Sequence, residues 1–414
     1  MSNYWYKIGL VKIKNMAKKK KIVPKKENSG STSKTKIRVI GIGGGGGSIV
    51  AEISSGLTKI DFTAINTDKR SLKEISRKVK TFQFGEKMTG GLGTGMDPEV
   101  GRNAAEAEKE KIKKIFTGQD VCILLACLGG GTSSGAAPVL AKLAKESGSI
   151  TYGIFTLPFE FEGSRKMEIA KESLEEIKPH LNAISVLPNE NIFKIIEKDA
   201  PLKEALSMIN SSLSENLKGL IEAIYNPGLI NIDFADFKTV LEGKGKIAYL
   251  HSVIFEPSKG IDQAINQVTS NPFYSHGIDG AGGVLLNVTG NKKIGLRDVS
   301  QVSSCIAGLA KKNATIILGI THDEKYNDKM KIMVLGVGCE TKDNPPEKKK
   351  PEPKKKEKPK KKINKKKDSP VKKLKVEVKP RRNALEIKKA SEDVEKELLE
   401  EEKKWETPAF LRRK

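Results

Sequence analysis

The sequence predicts an α/β fold: a doubly wound, mainly parallel sheet, then a long central helix and a smaller α/β domain. Three observations predict it. From residue 36 onward, short β-rich apolar runs alternate with stretches of helical periodicity. Residues 201–226 keep helical spacing throughout and stop at Asn226-Pro227-Gly228. A second set of alternating runs then continues to about residue 340.

The first alternation occupies residues 36–200. Its predicted strands are IRVIGI, DFTAIN, VCILLACL and SITYGIFTL. Helices are expected from about Ser48, through residues 100–116 and over residues 136–147. Strands that alternate with helices in this way are typical of a parallel sheet. We therefore expect one domain here.

The central helix and its stop are predicted over residues 201–228, and the second domain over residues 229–340. Its strands are AYLHSVIF, GGVLLNVTG, ATIILGI and MKIMVLGV. Residues 1–35 lack apolar periodicity, and residues 341–404 are rich in Pro, Lys and Glu. Such segments bury too little apolar surface to offset their ordering entropy, so we expect disordered tails.

The net charge of +24 lies almost wholly in the two ends of the chain. Residues 1–36 hold 11 Lys/Arg against one acid, and residues 340–414 hold 28 against 16, which leaves the middle near +2. A folded nucleic-acid domain concentrates positive charge on the face that meets phosphate. The distribution therefore argues against nucleic acid as a partner of the folded part, although the tails remain able to bind polyanions loosely.

The cysteines predict neither a disulfide framework nor a metal site. Cys122, Cys127, Cys305 and Cys339 show no C-x-x-C pairing and no His at metal-ligand spacing. The sequence contains no run of about 18 apolar residues and no apolar segment behind the N-terminal lysines. We expect a cytoplasmic protein that does not insert into membranes.

A first glycine loop, GIGGGGG at residues 41–47, joins a predicted strand to a predicted helix. Bare backbone N–H groups and a helix N-terminus bind phosphate in this setting. The loop contains a GxGxxG pattern, so a nicotinamide dehydrogenase is one alternative and a flexible turn another. A dehydrogenase should have an acidic residue at the end of its second strand. Asn66 and Asp68 stand at this place in the chain. No GxxxxGK[ST] occurs, which excludes a Walker P-loop.

A second glycine loop, GGGTSSG at residues 129–135, follows the very apolar run VCILLACL and opens another helix. Its glycines permit close backbone approach, its hydroxyls add donors, and the helix dipole favours an anion. Dehydrogenases have one such loop. Two loops at the carboxyl edge of one sheet suit a di- or triphosphate, so the sequence predicts a nucleotide held by both.

The chain resembles the tubulin/FtsZ GTPase family from about residue 36 to residue 339, and again at its C-terminus. The motifs that carry the resemblance are IGIGGGGGS, NTD at 66–68, GEKMTGGLGTGMDPEVGRNAAE, GGGTSSGAAP, LPFEFEGSRKM, PGLINIDFADFKTVL and ETPAFLRRK. The resemblance implies a tubulin/FtsZ-like GTPase domain over residues 36–200. It also implies a cell-division GTPase that polymerises into the filaments of the cytokinetic ring.

The resemblance implies roles for individual residues. It implies GTP as the ligand, with Mg²⁺ held mainly by the phosphates and no metal site made by the protein. Glu162 would bind ribose, and Asn210 would read guanine with an amide that both donates and accepts. Thr94 and Gly95 would lie near the γ-phosphate. The remaining residues implied to bind GTP are Gly44, Gly45, Gly46, Gly47, Ser48, Gly129, Gly130, Gly131, Thr132, Ser133, Ser134 and Lys166.

Four residues depart from the family pattern. Ser48 stands where the family usually has Asn, and Leu206 where an aromatic stacks on the base. Ser133 replaces a glycine, and its Cβ is expected to crowd the phosphates. Lys166 replaces an arginine and lacks its bidentate fork. These departures leave a slow or non-hydrolysing filament protein as the alternative to an active GTPase.

Residues 231–236, NIDFAD, directly follow the central helix. From the residues alone, two nearby aspartates are most often an ordinary acidic turn. The resemblance implies instead that Asn231, Asp233 and Asp236 are catalytic and polarise the attacking water in the nucleotide site of the next subunit. Such a head-to-tail contact generates open filaments, so the implied partner is a second copy of this chain.

The last residues, 405–414 (WETPAFLRRK), place apolar side chains after a charged linker. They resemble the docking peptide of the family, which binds FtsA-like or other membrane tethers. The implied contact residues are Pro408, Phe410, Leu411 and Arg412. The implied location is the cytoplasm at the mid-cell division site, beneath the membrane.

Overall fold

A computed structural model of the chain describes residues 35–340, except Lys198 and Lys293. Three predicted features lie outside the described residues: the basic N-terminal arm, the linker and the docking peptide with Pro408, Phe410, Leu411 and Arg412.

Six strands form the first half of the sheet, and every neighbouring pair among them is parallel. Both faces are buried in the strands over residues 37–42, 121–127 and 150–157, which explains their continuous apolar runs, whereas the edge strand over residues 80–83 has no buried residue. The order β3-β2-β1-β4-β5-β6 shows the predicted double winding, since the chain leaves β1 on one side and returns at β4 on the other. The strands are β1 (Ile37–Ile42), β2 (Asp61–Asn66), β3 (Lys80–Gln83), β4 (Val121–Cys127), β5 (Ile150–Leu157) and β6 (Ala183–Pro188).

Seven helices accompany these strands, and three of their bounds differ from expectation. Two helices begin inside the glycine loops, at Gly43 and Gly131, because packing against the sheet outweighs the weak helix propensity of glycine. The single helix expected over residues 100–116 is two helices that break at Glu108. The helices are α1 (Gly43–Ile53), α2 (Lys69–Lys73), α3 (Glu86–Thr89), α4 (Pro98–Ala107), α5 (Lys109–Phe116), α6 (Gly131–Glu146) and α7 (Ser164–Ile177).

The second half of the fold carries a mixed rather than parallel set of strands. Strand β11 is antiparallel to β8 and β9, β9 is parallel to β10, and β10 is antiparallel to β7. A short parallel pairing of β6 with β8 joins the two halves. The elements are α8 (Leu202–Tyr225), β7 (Gly228–Ile230), α9 (Phe234–Leu241), β8 (Lys246–Phe255), α10 (Ile261–Thr269), β9 (Gly283–Gly290), α11 (Leu296–Leu309), β10 (Thr315–His322) and β11 (Met330–Val337).

Helix α8 is the central helix, and it is fixed firmly to the second half of the sheet. Lys331 on β11 is only 1% exposed, and its Nζ lies 3.0 Å from Glu222 Oε2 on α8. Separating a buried pair of this kind costs about 3–5 kcal/mol. A side chain at Gly219 would strike Ser252 Oγ on β8, so α8 also lies very close to the sheet.

We predict that Gly135→Ala destabilises the fold. A Cβ at Gly135 on α6 would overlap the carbonyl oxygen of Pro98 on α4, and a backbone atom cannot move aside cheaply. Overpacking of this kind costs about 1–3 kcal/mol, measurable by urea unfolding. The matched control is Gly308→Ala on α11, where nothing lies within 4 Å. The control should gain about 0.5–1 kcal/mol, and equal stability of the two variants would contradict the prediction.

We predict that stability falls as the pH drops from about 6.5 toward 4. Burial on β8 lowers the pKa of His251 to about 4. Over this pH range the His251 imidazole therefore becomes protonated in the unfolded chain but stays largely neutral in the folded chain, which favours unfolding. Burial also lowers the pKa of His276, which acts in the same direction. Urea midpoints at pH 7 and pH 4.5 should therefore differ less in His251→Gln than in the unmodified protein. If the difference between the two midpoints is the same in His251→Gln and in the unmodified protein, groups other than His251 cause the loss of stability.

Candidate functional site

The two glycine loops lie side by side at one edge of the sheet. Strands β1 and β4 are adjacent and parallel, with Ile42 paired to Ala126 where each strand ends. The chain winds away from these two strands in opposite directions. A crevice forms at such a switch point, outside the carboxyl ends of the strands.

An open cleft of about 390 Å³ lies at this point, within the size range of small-molecule sites. It is lined by Gly44, Gly45, Asn66, Asp68, Ser71, Leu92, Gly93, Thr94, Gly95, Met96, Cys127, Leu128, Gly129, Gly130, Gly131, Thr132, Ser133, Thr156, Pro158, Glu162, Lys166 and Asn189. Most of the residues predicted to bind GTP are thus brought together. The lining does not include Gly46, Gly47, Ser48, Ser134 or Asn210.

The glycines of the first loop divide into two groups. A Cβ at Gly44 would meet nothing within 4 Å, so this residue is open to the cleft. A Cβ at Gly46 would lie 2.5 Å from the carbonyl oxygen of Leu125, and one at Gly45 equally close to Cys127 Sγ. Part of the glycine run therefore lets α1 lie directly on β4, and only its start faces the cleft.

Two helix N-termini reach the cleft without a capping side chain. The N-cap residues of α1 and α6 are Ile42 and Gly130, and neither accepts a hydrogen bond through a side chain. By contrast, Asp97 and Asp233 cap α4 and α9. The first N–H groups of a helix need an acceptor, and the helix dipole makes an anion a good one. The cleft therefore presents two helix ends of the kind that bind phosphate.

Three loops are joined beside these helix ends by hydroxyl groups. Thr132 Oγ1 lies 2.7 Å from Thr67 Oγ1, after β2, and 3.3 Å from Thr94 Oγ1 in the GLGTG loop. A side chain at Gly131 would strike Thr94 Oγ1, so glycine is required for this approach. The backbone at Gly95 has φ of +59°, a conformation that glycine adopts without strain. The predicted γ-phosphate loop is thus held against the second glycine loop.

The serines of the second glycine loop form hydrogen bonds within and next to that loop. Ser133 Oγ donates to the carbonyl oxygen of Cys127 at 2.6 Å, and Ser134 Oγ accepts from the backbone N–H of Gly129 at 2.8 Å. The hydroxyl of Ser133 is therefore engaged by the loop backbone.

Glu162 and Lys166 face each other across the first turn of α7. Lys166 Nζ lies 3.0 Å from Glu162 Oε2, and Glu162 Oε1 accepts from the backbone N–H of Phe159 at 2.9 Å. The carboxylate is thus held from both sides. The pair places one positive and one negative group at the cleft, where Lys166 lies beside Gly129 of the second glycine loop.

Asp68 and Cys127 line the cleft but were not assigned a role by the sequence. Asp68 accepts from Ser71 Oγ at 2.7 Å and caps α2, and the Ser71 hydrogen bond is the main cause of its lowered pKa. Burial raises the pKa of the Cys127 thiol, which disfavours the thiolate. The NTD motif at 66–68 signalled Asp68, whereas nothing in the sequence pointed to Asn189.

The residues predicted to be catalytic lie elsewhere in the chain. Asp233 Oδ1 accepts from the N–H of Asp236 at 2.7 Å, and Asp236 Oδ2 accepts from the N–H of Asp233 at 3.4 Å, so together they cap α9. Asn231 Oδ1 accepts from the N–H of Gly228. None of the three lines the cleft. They follow the far end of the 24-residue helix α8, about 36 Å long.

Comparison with known proteins gives matches over both halves of the fold. The Tubulin/FtsZ family GTPase domain matches residues 36–197, and the FtsZ family C-terminal domain matches residues 256–340. The cell division protein FtsZ of Wigglesworthia glossinidia brevipalpis is 35% identical over 321 residues, which are 77% of this chain and 83% of the relative. The chain belongs to the FtsZ family of cell division proteins.

Two solved structures have a similar fold. FtsZ of M. jannaschii, solved as an empty dimer, has a TM-score of 0.67 and 35% identity, and the match covers 74% of this chain and 89% of that one. CetZ2 from Haloferax volcanii has a TM-score of 0.64 at 22% identity, and the match covers 73% of this chain and 93% of that one, which shows the shared fold alone. The predicted tubulin/FtsZ-like fold, GTP binding and GTPase class are confirmed.

Two further features of the FtsZ-type body concern membranes and metals. Within residues 35–340, no helix is both long and apolar enough to cross a membrane. The same described residues contain no group of three or more His, Cys, Asp or Glu side chains that could hold a metal ion.

We predict that Ser133→Gly does not tighten GTP binding. The Ser133 hydroxyl is bonded to Cys127 O and stabilises the loop, so its loss should cost about 1 kcal/mol of stability. The GTP dissociation constant should stay within about threefold, a change worth less than 1 kcal/mol. Urea unfolding and equilibrium binding of a fluorescent GTP analogue measure the two quantities. A tenfold gain in affinity would show instead that this side chain crowds the phosphates.

Proposed function

We propose that the chain assembles head-to-tail into filaments of the cytokinetic ring and hydrolyses GTP at each subunit junction. The observation that carries this proposal is the separation of two groups of residues within one chain. The first half of α8 meets α1, the helix that begins at the cleft, through Ser207 and Asn210. Asn231, Asp233 and Asp236 follow the C-terminal end of α8 and do not line the cleft. One copy of the chain does not bring these carboxylates to its own cleft, so a carboxylate from a second copy would complete the site.

Exposed apolar side chains at both places support a contact between copies. At the rim of the cleft, Leu92 is 72% exposed and Phe161 is 66% exposed. Beside the aspartates, Leu229 is 79% exposed and its neighbour Ile230 is also exposed. Large apolar residues clustered on a surface mark interaction sites. Two different surfaces that meet repeatedly produce an open filament, and the similar FtsZ of M. jannaschii was solved as a dimer.

In the proposed reaction the cleft holds GTP and the neighbouring subunit supplies the carboxylates. The N-termini of α1 and α6 bind the phosphates, Thr94 and Gly95 approach the γ-phosphate, and Glu162 binds the ribose. Asp233 and Asp236 each use one oxygen as a helix cap and keep the other to orient a water for in-line attack. Asn231 positions the loop that carries them through its bond to Gly228.

Mg²⁺ fits this site as a partner of the phosphates. It is usually bound by one or two carboxylates together with substrate phosphates and water. Of the carboxylates that line the cleft, Glu162 is paired with Lys166, whereas Asp68 is bonded only to a hydroxyl and a helix N-terminus. Asp68 would hold the hydrated ion, which offsets phosphate charge when bound.

The proposal includes a place in the cell. Filaments of the cytokinetic ring would assemble in the cytoplasm at the division site. Membrane attachment would come from FtsA-like or other tethers that bind residues 405–414.

We predict that GTP hydrolysis per subunit is negligible below a threshold protein concentration and rises steeply above it. Asp233→Asn and Asp236→Asn should lower the rate above the threshold by about 100-fold or more, as expected for loss of a general base. Asparagine caps a helix as well as aspartate does, so these variants keep α9 intact. Phosphate release measures the rate, and nucleotide binding below the threshold should stay within about twofold.

A mixing experiment serves as the control. Gly44→Asp places a negative charge at an open position of the cleft and should block phosphate binding without disturbing the fold. An equimolar mixture of Gly44→Asp and Asp236→Asn should recover about a quarter of the normal rate, because about one junction in four pairs two intact halves. A rate per subunit that is independent of concentration, or no recovery in filaments shown to contain both variants, would contradict the proposal.

A further inference from the structure

One exposed face of α1 leads out of the cleft. Gly44 lines the cleft, and Ser48 and Glu52 follow at intervals of four residues on the same face of the helix. The opposite face is buried against the sheet through Ile49, Val50 and Ile53. Glu52 lies about 12 Å along the helix axis from Gly44. A nucleotide whose phosphates occupy the N-terminus of α1, and which lies along this face, brings its base toward Glu52.

At Glu52, α1 meets α8 through a polar cluster. Ser207 Oγ donates to Glu52 Oε1 at 2.8 Å, and Asn210 Nδ2 donates to Glu52 Oε2 at 2.7 Å. These bonds lie at the surface, where a ligand has access to them. A carboxylate only accepts hydrogen bonds, so the nitrogen of the Asn210 amide must be the atom that faces it.

The cluster offers hydrogen-bond acceptors to a ligand. A carboxylate has about four lone-pair positions, and Ser207 and Asn210 use two of them. Guanine presents two adjacent donors on one edge, N1–H and the N2 amino group. Adenine presents an unprotonated N1 at the same place, which a carboxylate repels. The two oxygens of one carboxylate therefore suit guanine.

We propose that Glu52 determines base specificity: its carboxylate accepts from N1–H and the N2 amino group of guanine, and Ser207 and Asn210 hold it in position. This inference rests on the proposed binding of GTP in the cleft. It gives Asn210, the residue expected to read guanine, a positioning role. A group that is already held in place loses less entropy when the base binds, so its orientation strengthens the contact.

A structural alternative is that Glu52 merely braces α1 against α8. The brace would stabilise the nucleotide site as a whole, and its loss would weaken every nucleotide equally. Direct reading of the base predicts a change in the order of preference among bases. The two roles therefore separate in a comparison of nucleotides that differ at one atom of the base.

The test is equilibrium competition of GTP, ITP and XTP against a fluorescent GTP analogue, with the full chain below its assembly threshold. Inosine lacks the N2 amino group, so the unmodified protein should prefer GTP over ITP by about tenfold. Xanthine carries an oxygen at that position, which the carboxylate repels. Glu52→Gln replaces one oxygen with an amide donor, so GTP affinity should fall about tenfold while XTP affinity rises. Improved XTP binding does not arise from a damaged fold.

Ser207→Ala is the matched control, because it removes one brace and keeps the carboxylate. Its preference for GTP over XTP should stay within about threefold of the unmodified value. An equal loss of affinity for GTP, ITP and XTP in Glu52→Gln would show that Glu52 is only a brace. Unchanged base preference in that variant would also overturn the inference. Both outcomes would leave the proposed function intact. Absence of GTP binding by the unmodified protein would overturn the proposed function and this inference together.

Discussion

The parallel pairing of β1 with β4 is the constraint on which the site depends. The two strands end side by side, with Ile42 beside Ala126, although about 80 residues of chain separate them. Strand β1 leads directly into α1, and a short loop over residues 128–130 leads from β4 into α6, so two uncapped helix N-termini arrive at one edge of the sheet. Neither terminus alone would distinguish a phosphate from any other anion. Together they provide a cleft wide enough for a chain of phosphates.

The glycines and hydroxyls around this pairing have mainly structural tasks. Gly46 lets α1 lie on β4, and Gly131 lets the GLGTG loop reach the second glycine loop. Thr132 then joins two loops that enter the cleft from different strands. The cleft is therefore rigid before any nucleotide binds, and preorganised donors lose little entropy when phosphate arrives. The Ser133 hydroxyl also has a backbone partner, the carbonyl oxygen of Cys127.

Helix α8 is the second organising element of the molecule. Its first half contacts α1 through Asn210 and Glu52, and its second half is tied to β11 through Glu222 and Lys331. The helix therefore connects the side of the cleft to the loop that carries Asp233. A rigid rod between the two holds them apart within one chain, which is the arrangement that a head-to-tail polymer requires. In the proposed function, this geometry links GTP hydrolysis to filament assembly.

The sequence by itself determined the α/β class, the two glycine loops that line the cleft and the FtsZ family, because each depends on local pattern: apolar runs, glycines next to strands, and motifs in order. It also signalled the cleft residue Asp68 through the NTD motif. Tertiary structure decided what local pattern does not contain. The early starts of α1 and α6 reflect packing against the sheet, and the mixed second half of the sheet reflects long-range pairing. The contact of Asn210 with Glu52 joins residues 158 positions apart, and such a pairing is set by how α8 lies against α1.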